Sequence, residues 1–178
     1  MAGPAATLVG ALLLGALNTF GDFVWARFVP AHRAAFGLAH GTLLLLALGL
    51  YLGVLRGRAG RGALRGGLVG LLAAALFYAL SPWLGYAAMF PSWMALWMGF
   101  AFLDARLRGG VALREVLLRG GLGAVGSGLA FYAISGIWTD PAPGGPRYAY
   151  HFFCWTIAFL PGLAALLLRT PASAVVPR

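Results

Sequence analysis

The chain has 178 residues, of which 61% are apolar and 10% charged, and a formal net charge of +9. A water-soluble domain runs to about 45–50% apolar and about 25% charged, so that class is excluded. Disorder is excluded as well, because a disordered chain lacks apolar surface to bury.

Apolar runs of the length that crosses a hydrocarbon layer of about 30 Å, about 20 residues as a helix, recur along the whole chain. They predict six spans, over residues 5–24, 35–55, 63–80, 91–103, 111–138 and 148–168. Met1 to Gly10 carries no basic side chain, so the first span reads as a retained helix rather than a cleaved signal. Ser81-Pro82-Trp83 closes the third span and Pro91-Ser92-Trp93 opens the fourth. Six crossings use about 120 residues, which leaves one all-α integral membrane bundle over residues 1–178 and no soluble domain.

The thirteen basic residues are all arginine. Ten of them (Arg56, Arg58, Arg61, Arg65, Arg106, Arg108, Arg114, Arg119, Arg169 and Arg178) fall at alternate connections and the C-terminus, against Arg27, Arg33 and Arg147 at the others. This asymmetry puts both termini on the cytoplasmic side and accounts for the positive charge without a nucleic-acid partner. Trp25, Trp83, Tyr86, Trp138, Tyr148 and Tyr150 gather at the arginine-poor ends, where amphipathic rings favour the headgroup level. Absence of Lys and Gln beside abundant Ala, Gly, Leu and Arg is the composition of a GC-rich prokaryotic genome, and the expected location is the prokaryotic plasma membrane.

Small residues mark where helices meet in hydrocarbon. Gly37, Gly41, Gly49 and Gly53 form one stripe on the second span, which also offers a surface for a homo-oligomer. The fifth span, with Gly120, Gly121, Gly123, Gly126 and Gly128, reads as a central helix touched on more than one side. Pro161-Gly162 in the sixth predicts a kink and a carbonyl in need of a new partner.

Polar groups at membrane depth are few and therefore informative. Asn18 and Asp22 share one face of the first helix, His40 lies about 7–8 Å into the second, and His151 sits at the mouth of the sixth. These four groups share one level, as a site for a polar headgroup, a proton relay or, less readily, a metal. The competing reading is a set of interhelical hydrogen bonds, with Asp22 paired to Arg27 or Arg33. Phe77, Tyr78, Trp97, Phe131, Tyr132, Phe152, Trp155 and Phe159 are the candidate apolar lining of a ligand cavity. Asp104 and Arg108 have the spacing of a local ion pair. Cys154 is alone, which rules out an intramolecular disulfide and a cysteine metal cage. No hydrolase or nucleotide-binding motif is present, so nothing in the sequence calls for an enzyme, a metal or a cofactor.

The end of the fourth span, Phe102-Leu103-Asp104-Ala105-Arg106-Leu107-Arg108-Gly109, followed by Phe131-Tyr132-Ala133-Ile134-Ser135-Gly136 in the fifth, resembles the Insig family of membrane sterol sensors. In that family the fourth span ends in Phe-Asp-Arg-Ser-Arg-Ser-Gly. Asp104 matches its aspartate, and Arg106 and Arg108 stand in for the arginines, shifted by one place. Tyr132 matches the tyrosine of the family's Val-Tyr-Asn-Gly, with alanine at the asparagine. The likeness runs from about Trp93 to the C-terminus; the first half agrees in topology only. It implies a helical bundle around a cavity that accepts a diacylglycerol- or sterol-like lipid. The arginine shift and the absence of glutamine put the partner-binding loop and any sterol-contacting glutamine in doubt. Beside this lipid-binding reading stand a small proton-coupled transporter and a haem- or quinone-dependent enzyme using His40 and His151.

Overall fold

The structure, a computed structural model, describes residues 3–28, 33–134 and 148–168. Every described element is helical: α1 (Pro4–Phe28), α2 (Arg33–Leu55), α3 (Ala59–Leu84), a single 3-10 turn (Gly85–Ala88), α4 (Met89–Leu107), α5 (Leu113–Ile134) and α6 (Tyr148–Leu167). Five stretches are long and apolar enough to cross a membrane, one of them the 49-residue run Ala59–Leu107 that contains both α3 and α4. The protein is an all-α, multi-pass membrane protein.

The helix ends differ from the sequence expectation for local reasons. α3 does not stop at Ser81 but carries Pro82 inside its last turn. Proline leaves the Tyr78 carbonyl without its helical donor, and the Ser81 hydroxyl donates to that oxygen at 3.3 Å. The chain reverses at Gly85, whose φ of +54° is the left-handed region that glycine enters without strain. Pro91 falls in the first turn of α4, where a missing N–H costs nothing. That helix begins at Met89 and runs to Leu107 rather than Leu103, so Asp104 and Arg106 belong to its last turn and not to a loop. Glu115 likewise sits in the first turn of α5. The expected end of that helix, with Ser135, Gly136 and Trp138, lies outside the described residues.

Neighbours in sequence are neighbours in space. α2 packs most closely on α3, and α3 on α4, α4 on α5, α5 on α6 and α6 on α1 follow; a slighter contact between α1 and α2 closes a ring. Arg58 on the α2–α3 turn donates to the Arg106 carbonyl at the end of α4 at 3.3 Å, so α3 and α4 run antiparallel. Large apolar side chains point outward, with Leu64 77% and Trp83 80% exposed, as lipid-facing groups are.

The α2 glycine stripe is used within the chain. A Cβ on Gly49 would meet the Gly62 carbonyl and the Gly66 backbone, and one on Gly53 would meet Arg58 and Ala59. The face expected to join two copies is therefore covered by α3, whose own glycines, Gly62, Gly66 and Gly70, had drawn no notice in the sequence. α5 is not central: Gly120 abuts Met98 and Ala101 of α4, Gly126 abuts Pro161 of α6, and Leu122, Val125 and Leu129 face outward. α6 continues through Pro161, and the Gly162 N–H donates to Ser127 Oγ at 3.0 Å, which ties α6 to α5.

Because Gly49 lies against backbone that cannot yield, Gly49→Ala is expected to lower stability by about 1–3 kcal/mol. Gly121, which faces open space, should accept alanine with no loss. Melting temperatures of the two variants in one detergent check the contrast.

Candidate functional site

At the arginine-poor end the helices line a chamber of about 250 Å³ that is open to its surroundings rather than closed over. α1 contributes Asn18 and Asp22; α2 gives Phe36, His40 and Leu44; α3 gives Ala73, Phe77 and Tyr78; α4 gives Ser92 and Trp93; and α6 gives Trp155 and Phe159. α5 lines none of it.

The polar groups sit on α1 and are held from both sides. Asp22 Oδ2 accepts from Trp155 Nε1 at 2.7 Å and pairs with His151 Nδ1 at 2.8 Å. Because a carboxylate oxygen only accepts, that imidazole nitrogen carries the proton. Asn18 Oδ1 lies 2.8 Å from His40 Nε2, so by the same logic Nε2–H is the donor. Gly21 makes the second contact possible, since a Cβ there would strike the His40 ring. His40 also stacks on Phe36, centroids 5.7 Å apart and planes 5° from parallel.

Two polar groups on the chamber wall keep unspent capacity. Asp22 Oδ1 and the Asn18 amide NH₂ make no hydrogen bond with the described residues, although both residues line the space. One is an acceptor and the other a donor. The remaining walls are apolar, apart from the His40 ring, whose Nδ1 is an acceptor once Nε2 carries the proton, and two committed hydroxyls: Ser92 donates to the Ala88 carbonyl at 2.8 Å and Tyr78 to the Arg33 carbonyl at 3.1 Å.

The sequence expectations divide here. Asn18, Asp22 and His40 line one chamber and His151 braces it from behind, and the contacts that bring the four together are hydrogen bonds between helices, as in the competing reading. Asp22 pairs with His151 and Trp155, not with Arg27 or Arg33. Phe77, Tyr78, Trp155 and Phe159 line the chamber, whereas Trp97, Phe131, Tyr132 and Phe152 do not. Trp97 is fully buried below it, and a Cβ on Gly162 would meet its ring. Phe131 belongs to an aromatic stack, 5.3 Å from Trp93 and 5.6 Å from Trp155, and Tyr132 is 63% exposed on the outer surface. Phe152 packs on Phe153. Among the described residues no three His, Cys, Asp or Glu side chains converge on a metal position.

At the arginine-rich end the Asp-Arg segment forms a second polar centre. Asp104, fully buried, ion-pairs with Arg56 Nη2 at 2.9 Å and, as the spacing predicts, with Arg108 Nε at 2.8 Å. Arg108 and Arg119 then share Glu115 at 3.0 and 2.9 Å. Arg119 Nη1 also donates to the carbonyls of Ala165, Leu166 and Leu168 at the end of α6, where helix carbonyls lack partners. Arg106 is exposed. This cluster joins the α2–α3 turn to α4, α5 and α6, and the second arginine partner of Asp104, Arg56, was hidden in the sequence because it comes from another part of the chain.

No family model matches the sequence, and no curated protein or solved structure matches it significantly.

The Asp22–His151 pair is expected to show in a double-mutant cycle. Asp22→Ala and His151→Ala, alone and combined, should couple by about 0.6–1.7 kcal/mol, the range of such bonds between membrane helices. Reversible unfolding in mixed micelles measures the coupling, and strictly additive losses would refute the pair.

Proposed function

We propose that the protein is a lipid-binding membrane protein whose chamber takes the polar end of a neutral, hydroxyl-bearing lipid of the diacylglycerol or sterol type. The observation that carries this reading is the pairing of a largely apolar, aromatic-walled chamber with an unspent acceptor, Asp22 Oδ1, and an unspent donor, the Asn18 amide, side by side on α1. A hydroxyl satisfies both at once, donating to the carboxylate and accepting from the amide. A phosphate has no proton to give and would face the Asp22 carboxylate as a like charge. The resemblance of the second half of the chain to the Insig family points in the same direction.

In this reading α3 and α4 each cross the bilayer, for six crossings with both termini in the cytoplasm of a prokaryotic cell. The asymmetry of the arginines supports it, and so does the antiparallel course of α3 and α4, which sets the α2–α3 turn beside the end of α4. A 49-residue helical run is also far longer than the about 20 residues one crossing needs.

A proton-coupled carrier is the second reading, favoured by the Asp22–His151 pair at the chamber wall. It requires that vesicles with the protein move protons or solute and that Asp22→Asn abolishes the flux.

Mass spectrometry of protein extracted in mild detergent should find about one neutral lipid per chain, as expected of a site that buries most of its ligand. Ala73→Phe, which fills the chamber from α3, should cut that occupancy several-fold with the helix content unchanged. Lipid-free protein, or occupancy indifferent to Ala73→Phe, overturns lipid binding. Orientation is checked by membrane-impermeant maleimide in a Cys154→Ala background. Arg61→Cys and Arg114→Cys should label only from the cytoplasmic side and Tyr86→Cys only from the opposite one; a chain that crosses once between α3 and α4 would separate Arg61→Cys from Arg114→Cys.

A further inference from the structure

The chamber has a neighbour on the outside of the ring. Between α1 and α2 runs a groove of about 330 Å³, walled by Leu17, Phe20 and Val24 on one side and Ala39, Leu43 and Ala47 on the other. Phe36, His40 and Leu44 line both the groove and the chamber, so these three side chains are the partition between them.

The partition stands at the weakest place in the ring. α1 and α2 touch less than any other adjacent pair. Toward the arginine-rich end the pair is pinned, where Tyr51 Oη donates to the Ala6 carbonyl at 2.5 Å and Gly10 lies against the Tyr51 ring. Toward the other end the seam is bridged by the 2.8 Å contact of His40 Nε2 with Asn18 Oδ1 and by the Trp25 and Phe36 rings, edge to face with centroids 5.2 Å apart. The other seams close more firmly: α2 on α3 by glycine backbone, α1 on α6 by Asp22 with His151 and Trp155 and by Gly15 against Thr156.

We propose that a membrane lipid reaches the chamber sideways between α1 and α2, leaves its hydrocarbon tail in the outer groove, and opens the Asn18–His40 hydrogen bond as the latch on its path. This rests on the lipid-binding reading and adds to it a tail site and a route. The occupant follows from the surroundings. Phe20 and Leu43, 64% and 65% exposed, open the groove toward hydrocarbon, and the medium there consists of lipid chains. A tail that leaves the bilayer for this groove exchanges one apolar neighbour for another, with no transfer gain to hold it. Retention therefore comes from the head, which meets Asn18 and Asp22 behind the partition, and the barrier to exchange comes from the latch. Gly21 is part of that latch, because a methyl group there takes the space of the His40 ring.

The test uses a diacylglycerol with a diazirine in one acyl chain, in proteoliposomes of the full chain, with crosslinked peptides mapped by mass spectrometry. Wild type should crosslink between Leu17 and Val24 and between Ala39 and Ala47, and excess unlabelled diacylglycerol should remove those crosslinks while leaving bulk-lipid labelling at Leu129. Ala39→Phe, an exposed position off the chamber, should abolish the groove crosslinks with the melting temperature kept. After dilution into unlabelled vesicles, the crosslinks should fade about threefold faster in His40→Phe, which keeps a ring in the partition but loses the bond, and in Gly21→Ala, the rate equivalent of a membrane hydrogen bond of about 0.6 kcal/mol. Competed crosslinks confined to chamber residues such as Phe77 and Trp93 would overturn the tail site and leave lipid binding intact. Exchange at the wild-type rate in both latch variants would overturn the latch. Absence of any competed crosslink would overturn lipid binding and the route together.

Discussion

A bundle immersed in hydrocarbon gains nothing by hiding leucine, because the lipid is as apolar as the core. Every contact in this protein follows from that constraint. Helices come together where glycine lets backbones touch, as Gly49 and Gly53 do against Gly62 and Gly66, where rings stack, as Phe131 does on Trp93 and Trp155, or where a polar group has no water and must find a partner. The two aspartates in the described residues mark the ends of that second device. Asp104 draws two arginines to one end, and Asp22 draws a histidine and a tryptophan to the other.

The two ends put the same residue type to different uses. Asp104 is enclosed between two guanidinium groups whose outer parts still reach water, Oδ1 hydrogen-bonded to Arg56 and Oδ2 ion-paired with Arg108, with the two arginines about one-fifth exposed. Charge there is matched, and nothing is left for a ligand. Asp22 spends one oxygen and keeps the other beside an open space. The difference comes from the supply of cations: the arginines crowd the first end, and at the second the described partners of Asp22 are ring N–H donors, which satisfy a single oxygen.

Much of this was readable in the amino-acid order, and what was not shares a cause. Polar residues inside an apolar run are so few that Asn18, Asp22, His40 and His151 could be placed at one level from position alone. Their pairing could not, because it depends on which helix faces α1, and a sequence does not say that α6 lies there. Aromatic spacing misled for a related reason. Phe131 and Trp97 repeat at the interval that faces a neighbour, and a packed neighbour and a hollow impose the same interval; the structure gives Phe131 to a stack and Trp97 to the floor beneath the chamber. A glycine-dense helix likewise signals close approach without saying how many sides are approached, and so α5 was assigned a central place that it does not hold. The glycines of α3 carried as much information as those of α2, and taken together the two stripes describe one interface inside the chain.

Ring closure explains where the hollow lies. Glycine contacts, ring contacts and polar bonds occur at every seam, but between α1 and α2 they are fewest, with Tyr51 at one end and His40 and the Trp25–Phe36 pair at the other. Side chains around a tight seam pack to near-crystal density, so a void collects at the loose one. Under the proposed lipid-binding function the polar residues of α1 have a use there, since a filler drawn from the bilayer is bound selectively only through its head. Chamber, unspent polar pair and loose seam are thus three aspects of a single arrangement of α1.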